Sequence, residues 1–528
     1  MPHLRSAVLL SALLFTACSS SNDDAPSNPG AAPGADAGTD TSTTTQTLEW
    51  KPCDLYSGGG GPPAECSTSK VPLRANADDG QTIDVFVKRF HPKGGKSLRQ
   101  MWMLQGGPGG SGVVFEQLAE MIATKYPDVD YYMPDHRGTG RSSRIGCAAE
   151  AEHTISGIFI DDAEWPACLD EVKTTMGDRL GAFNTTNAAN DIGVLIERAR
   201  VPEQKVFVYG VSYGTYWANR YLQLFPKQAD GVVLDSLVPP GSSLARQDED
   251  ANEAAKDLFA VCAKDTYCAS KLGPDPWARA EALLANLKTG HCPAIAREGI
   301  ATHVLLRRAF GQFLMHPELR LLIPAIVYRA ERCAENDVTA LSKLTEALTG
   351  EPQIDEMLKQ WGWVLSNNIA FSELWEEPAP TAEMLDQIRE ASVASRDVTT
   401  GFTALLGKWP VYPKDQYASS WPDATTTPVL VLQGGLDPAT LLRKARAGKE
   451  HYTKPGQHWI EVPTATHTVI GSSTTSEKRS CGTMMMMSFF ENTNAPDTSC
   501  LEKVLPLSFE SGATNASSAL LGTGDAWE

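Results

Sequence analysis

The chain has 528 residues, of which 42% are hydrophobic and 21% charged, with 43 glycines and 34 prolines. At roughly 150 residues per domain this allows about three units and a large buried core. A formal charge of −18 leaves no general basic field, so nucleic acid is excluded as a partner. The unusual number is eleven cysteines, an odd count.

In chain order, His3 and Arg5 open a basic start that is followed by the apolar run Ala7–Phe15. That run is too short to cross a bilayer and ends among small residues, so residues 1–17 read as a signal peptide. Phe15-Thr16-Ala17-Cys18 resembles a bacterial lipobox, with Phe15 where Leu, Val or Ile is usual. The resemblance implies cleavage before Cys18 and lipid on its sulfur. Residues 18–47 are then the lipidated cysteine and a tether rich in Ser, Asn, Asp, Pro, Gly, Ala and Thr, with nothing to bury. The expectation is an exported lipoprotein, periplasmic or at the cell surface, that meets the membrane through its anchor alone.

Once Cys18 is set aside the other cysteines are even in number, and in an exported chain disulfides form and persist. Their neighbours in sequence predict Cys53–Cys66, Cys147–Cys168, Cys262–Cys268, Cys292–Cys333 and Cys481–Cys500. No C-x-x-C or H-E-x-x-H spacing points to a metal, and none is expected.

Residues 48–238 read as the first part of an α/β core. Val71–Leu73 and Thr82–Arg89 are early strands, the second alternating Ile83, Val85 and Val87 on one face. Gln100–Leu104 is a strand running into the glycine-rich loop Gly106–Gly112. Tyr131–Asp135 is another, followed by His136-Arg137-Gly138-Thr139-Gly140-Arg141-Ser142. Asp135 and Arg137 there read as braces. Helical spacing covers Asn187–Arg200, with Asp191 in the first turn where the dipole favours an acid.

Lys205–Tyr209 is a strand, Thr215–Leu224 a helix and Gly231–Asp235 the next strand. Such continuous apolar strands alternating with helices mark a mostly parallel sheet covered on both faces. Residues 239–423 break the alternation and read as an inserted helical cap. Within it Trp361, Trp363 and Trp375 fit either the cap's inner face or its core. Residues 424–528 resume the core with strand Pro428–Leu432, a helix near Ala439–His451 and strand His458–Val462. Met484–Met487 reads as packing in a late helix.

Gly210-Val211-Ser212-Tyr213-Gly214 fits G-x-S-x-G between a strand and a helix. The turn is too sharp for side chains beside the serine, and it pushes the serine Oγ into the open as a nucleophile. A hydroxyl needs a base and an orienting acid, in chain order Ser, acid, His on this architecture. Of ten histidines, His451, His458 and His467 lie late enough. His467 alone sits in a loop beyond a strand's carboxyl end, where parallel sheets gather active-site groups. Asp437 is the favoured acid and Asp235 its rival at the preceding strand end. Backbone N–H groups of Tyr213 and of Gly107 are the expected oxyanion donors. A phosphate-binding reading of Gly106–Ser111 fails because no G-K-[S/T] follows.

Gly106-Gly107-Pro108-Gly109-Gly110-Ser111, Asp135–Ser142, Gly210–Thr215 and Pro428–Leu432 with Asp437-Pro438 together resemble the secreted tripeptidyl aminopeptidase branch of the α/β-hydrolases, related to prolyl aminopeptidases. The resemblance runs from about Trp50 to Cys500. It implies a cofactor-free serine exopeptidase that releases short peptides, expected to be tripeptides, from free N-termini, with Ser212, Asp437 and His467 as triad. It also implies a cap carboxylate for the substrate ammonium. Ile369-Ala370-Phe371-Ser372-Glu373 is similar to the relatives' segment, which nominates Glu373, although Phe371 stands where they have cysteine. Two further departures are Gln105 in place of the His usual in prolyl aminopeptidases, and Thr466 before His467 where Gly is common. A carboxylic-ester hydrolase on the same triad is the alternative, since acyl transfer does not distinguish ester from amide. A surface-binding protein without catalysis is disfavoured by the intact triad.

Overall fold

The computed structural model describes residues 47–77, 79–92, 97–150, 160–297, 299–350 and 355–528. The signal peptide, Cys18 and all of the tether except Thr47 lie outside the described residues.

Among the described residues nine strands form one sheet: β1 (Lys51–Asp54), β2 (Pro63–Pro72), β3 (Thr82–Phe90), β4 (Arg99–Leu104), β5 (Val129–Pro134), β6 (Lys205–Val211), β7 (Gly231–Asp235), β8 (Val429–Gly434) and β9 (Gln457–Val462). Their order is β1-β2-β3-β5-β4-β6-β7-β8-β9. β1, β2, β3 and β5 pair antiparallel in turn, and every pairing from β5 through β4 to β9 is parallel.

Period-two geometry sends alternate residues of the parallel strands to opposite faces. Trp102, Leu104, Val206, Val208, Val232, Leu234, Val429 and Val431 join one buried cluster. It includes the helices Thr185–Arg198 and Tyr213–Leu224. Met101, Met103, Phe207, Tyr209, Val233, Leu430 and Leu432 join the other, under the helices Glu116–Ala123 and Cys481–Glu491. Met485, Met486 and Met487 fill this second layer. Both faces are dry, which is why these strands read as unbroken apolar runs.

Two local expectations are corrected. β2 is ten residues long rather than a short strand at Val71. Its inward positions include Ala64, Ser67 and Ser69, small or polar residues that hide the alternation. Asp191 is not a first-turn dipole acid: the helix begins earlier, at Thr185 after the Asn184 cap. Asp191 is buried and accepts from Arg137 Nε at 2.7 Å and from Nη2 at 2.5 Å. Arg137 also donates to Pro72 O at the end of β2, to Leu73 O and to Ala182 O, so its bracing role reaches β2 and the helix together.

Between β7 and β8 the described elements are helical, but they do not pack as one unit. Helices from Gln247 to Thr349 share their own apolar cluster, whereas Val364, Ile369, Phe371, Trp375, Phe402 and Trp409 join the sheet's first layer. The chain's end departs from the expected boundary as well. Phe509, Ala513, Leu521 and Trp527 pack into the cap cluster, and Arg329 Nε donates to Ala526 O at 2.7 Å. Residues 424–528 are therefore core only in part; the sequence shows apolar residues there, not which layer receives them.

Among the described residues, five disulfides join Cys53–Cys66, Cys147–Cys168, Cys262–Cys268, Cys292–Cys333 and Cys481–Cys500. Such bridges belong to an oxidising, exported setting. Among the described residues no helix is long and apolar enough to cross a membrane.

Candidate active site

β6 runs into Ser212 and reverses at once into the helix Tyr213–Leu224. Ser212 has φ 57° and ψ −128°, a conformation that strains any residue with a Cβ and persists only where the surroundings force it. They do so here. A Cβ on Gly210 would stand 2.3 Å from Gly214 O, and one on Gly214 would stand 2.0 Å from Leu104 O. Only glycine fits either side of the serine.

Asp437 lies three residues past β8 and is fully buried. Its Oδ1 accepts from Ala439 N and Thr440 N, both at 2.8 Å, and its Oδ2 from Thr440 Oγ1 at 2.7 Å. His467 Nδ1 faces both carboxylate oxygens, at 3.0 and 2.9 Å. Burial alone would push this carboxyl up, but the imidazole and the hydrogen bonds prevail and hold it below the ordinary value. Thr440, three residues after the acid, was not foreseen; the D-x-x-T spacing of a turn-capping aspartate is the signal for it.

The rival Asp235 has another task. Fully buried at the end of β7, its carboxylate accepts from Val469 N at 2.7 Å, Ile470 N at 3.1 Å and Tyr209 OH at 3.0 Å. Burial pushes it up to about 6, against the pull of those donors. Its own carbonyl accepts from Ser212 N at 3.0 Å, and the neighbouring Ser236 Oγ accepts from Thr468 N at 2.9 Å. The end of β7 thus ties the serine turn to the histidine loop.

The glycine-rich loop after β4 presses on the serine: a Cβ on Gly106 would stand 2.7 Å from Ser212 Cβ. Its far end is held by Asp135, which accepts from Gly112 N and Arg141 N, each at 2.8 Å. Gly107 and Gly109 have φ of 116° and 110°, which glycine alone adopts easily. Trp361 lies over both, with ring carbons 3.0 Å from where a Gly107 Cβ would be. Gly362 N donates to Gly109 O at 2.9 Å. Of the three tryptophans left open by sequence, Trp361 covers the loop, while Trp375 is buried against Phe371 and Phe402.

Tyr213 is buried, with its hydroxyl 2.8 Å from Thr185 Oγ1 and 3.2 Å from His136 Nε2. Burial holds His136 down to about 3 and therefore neutral. Glu373, nominated for a substrate ammonium, is 5% exposed; its Oε1 accepts from Thr185 N and Tyr412 OH, both at 2.8 Å, while its Oε2 is buried with no hydrogen-bond partner among the described residues. Arg220 Nη2 stands 3.6 Å from its Oε2. Arg220 Nη1 also stands 3.3 Å from Asp415 Oδ2, and Glu373 caps the first turn of the helix Thr185–Arg198, an arrangement that depends on distant segments and leaves no local trace. Among the described residues no group of three or more His, Cys, Asp or Glu is placed to hold a metal ion.

Residues 101–259 match the family described as alpha/beta hydrolase fold, and residues 392–500 the family described as TAP-like protein. Serine protease Hip1 of Mycobacterium tuberculosis is 26% identical over 258 residues, 44% of this chain and 48% of that protein. The tripeptidyl aminopeptidase of Streptomyces lividans is 31% identical over 195 residues, 34% of this chain and 36% of that protein. The chain thus spans about half or less of the length of the curated relatives it matches. Among solved structures, a thermophilic esterase from Thermogutta terrifontis has 13% identity and a TM-score of 0.34, covering 81% of this chain and 100% of that one.

Proposed function

We propose that the chain, which matches the alpha/beta hydrolase fold family over residues 101–259 and the TAP-like family over residues 392–500, is a serine exopeptidase acting on peptides with a free N-terminus. The observation that carries this reading is the His467–Asp437 pair on loops that β7 ties to the strained Ser212. In this mechanism Ser212 Oγ attacks the scissile carbonyl and His467 takes its proton. Asp437 keeps the imidazole in the tautomer whose Nδ1–H it accepts, and stabilises the imidazolium without itself taking the proton. Oxyanion charge develops against the N–H groups of Tyr213 and Gly107, each donor worth ~10²–10³ in rate. His467 then protonates the leaving amine, and water resolves the acyl-enzyme.

Release of tripeptides is supported by the relative named tripeptidyl aminopeptidase. Trp361 over Gly107–Gly109 supports a cleft walled by the insertion beside the reacting carbonyl. We also propose the export and lipid anchoring at Cys18 implied by Phe15–Cys18.

The test is an assay of the chain lacking residues 1–46 on tripeptide amides with free and N-acetylated amines. Cleavage of the free form only, lost in Ser212→Ala, is expected. Equal cleavage of both forms would remove the exopeptidase reading, and turnover of butyrate esters alone would favour a carboxylic-ester hydrolase.

A further inference from the structure

His467 sits on the loop between β9 and the helix Val469–Ser472, and the residue before it is fastened on two sides. Thr466 is fully buried. Its hydroxyl donates to Leu314 O at 2.5 Å and lies 3.3 Å from Leu436 O. Leu436 immediately precedes Asp437, and Leu314 ends the inserted helix Thr302–Phe313. One hydroxyl therefore stands where the acid's segment, the base's segment and the insertion meet.

A second strut comes from the same part of the insertion. Arg320, 2% exposed, donates from Nη2 to Thr464 O at 2.5 Å and from Nε to Pro317 O. No carboxylate pairs with it among the described residues, and its Nη1 has no partner. A buried guanidinium without a counter-ion is costly, and burial pulls it down to about 10. Among the described residues, its one side-chain hydrogen bond outside its own turn is to the histidine loop. On the other side that loop is packed tightly: Leu436 N donates to Ala465 O at 3.0 Å, and a Cβ on Gly434 would stand 2.4 Å from Thr466 O. With one wall rigid, the two struts set where the loop lies.

We propose that Thr466 and Arg320 are positioning residues, a latch by which the inserted helices hold the His467 loop in register with Asp437. Catalytic competence then depends on the docking of the insertion, and not only on its lining of the cleft. The inference rests on His467 being the general base. Removing the Thr466 hydroxyl leaves Leu314 O buried and unpaired, so the loop relaxes, and misplacements near 1 Å cost up to ~10²-fold in rate.

The experiment uses a fluorophosphonate probe, which reads serine activation without assuming a peptide substrate, on wild type, Thr466→Ser, Thr466→Val, Arg320→Met and Ser212→Ala. For Thr466→Val the maximal labelling rate, kinact, should fall about tenfold with KI within about twofold. Thr466→Ser should restore it, and Arg320→Met should show the same split more weakly. Wild-type kinact in Thr466→Val, a loss confined to KI, or a loss that serine does not rescue would overturn the latch. If Thr466→Val fails to fold, wild-type kinact in Arg320→Met overturns it alone. Labelling that survives Ser212→Ala would instead overturn the underlying triad reading.

Discussion

Asp235 holds the backbone N–H of Val469 at 2.7 Å, two residues beyond the imidazole that Asp437 engages. Two strand-end carboxylates thus serve one loop, one through its backbone and the other through its side chain. Asp437→Asn should lower kcat/KM by roughly 10⁴, the scale for losing the acid that fixes the tautomer. Asp235→Asn should lower activity less, read from the same kinetics. The reverse ranking would exchange their roles.

The same Asp235 gives a pH signature. Its carboxyl is pushed up to about 6 in the folded protein, against an ordinary value near 4 in the unfolded chain. Between those values the native state binds more protons, so stability attributable to this group is full below about 4 and declines as pH rises to about 6. Urea unfolding at pH 4, 5, 6 and 7 should show the wild-type free energy falling relative to Asp235→Asn across the first three points and levelling above. A difference that is flat, or that grows with pH, contradicts the assignment.

Ser212 at φ 57° stores backbone strain, typically about 1–3 kcal/mol. Glycine relieves it and loses about 0.5–1 kcal/mol in chain entropy. Ser212→Gly should therefore be inactive yet more stable than wild type by about 1 kcal/mol, whereas Ser212→Ala should be inactive without that gain. Calorimetry of the two variants decides it.

Gly106 and Gly214 separate activity from folding. A Cβ at Gly214 meets Leu104 O at 2.0 Å, backbone that cannot move without breaking the sheet, so Gly214→Ala should cost more than about 3 kcal/mol or fail to fold. At Gly106 the new atom meets Ser212 Cβ at 2.7 Å and the Val211 carbonyl oxygen at 2.9 Å, a milder clash. Gly106→Ala should cost less stability than Gly214→Ala, and the folded fraction should lose serine labelling. A fully active Gly106→Ala would remove the loop from the serine's surroundings.

Bridge removal should follow loop length. Cys292–Cys333 closes a separation of 41 residues and Cys262–Cys268 one of 6. On a chain-entropy argument, replacing the first pair with alanine costs about 4 kcal/mol and the second about 2 kcal/mol. Denaturant melts of the two double variants give the comparison.

The parallel strands and the serine turn are legible because each has a local cause. A strand dry on both faces must be apolar throughout, and a reversal within one residue admits only glycine beside the serine. β2 was harder to see because its inward Ser67 and Ser69 look like outward ones. Thr440 was visible in principle through its spacing from Asp437.

What the sequence determined by itself was therefore the core architecture and the residue types of the site, since both follow from periodicity and backbone sterics over a few positions. The tertiary structure alone decided which carboxylate meets His467, that Glu373 faces Arg220, that Trp361 covers Gly107 and that Leu314 receives Thr466. Those relations join segments up to hundreds of residues apart. Hydrogen bonding and desolvation act through space, and chain position carries no record of which distant group arrives.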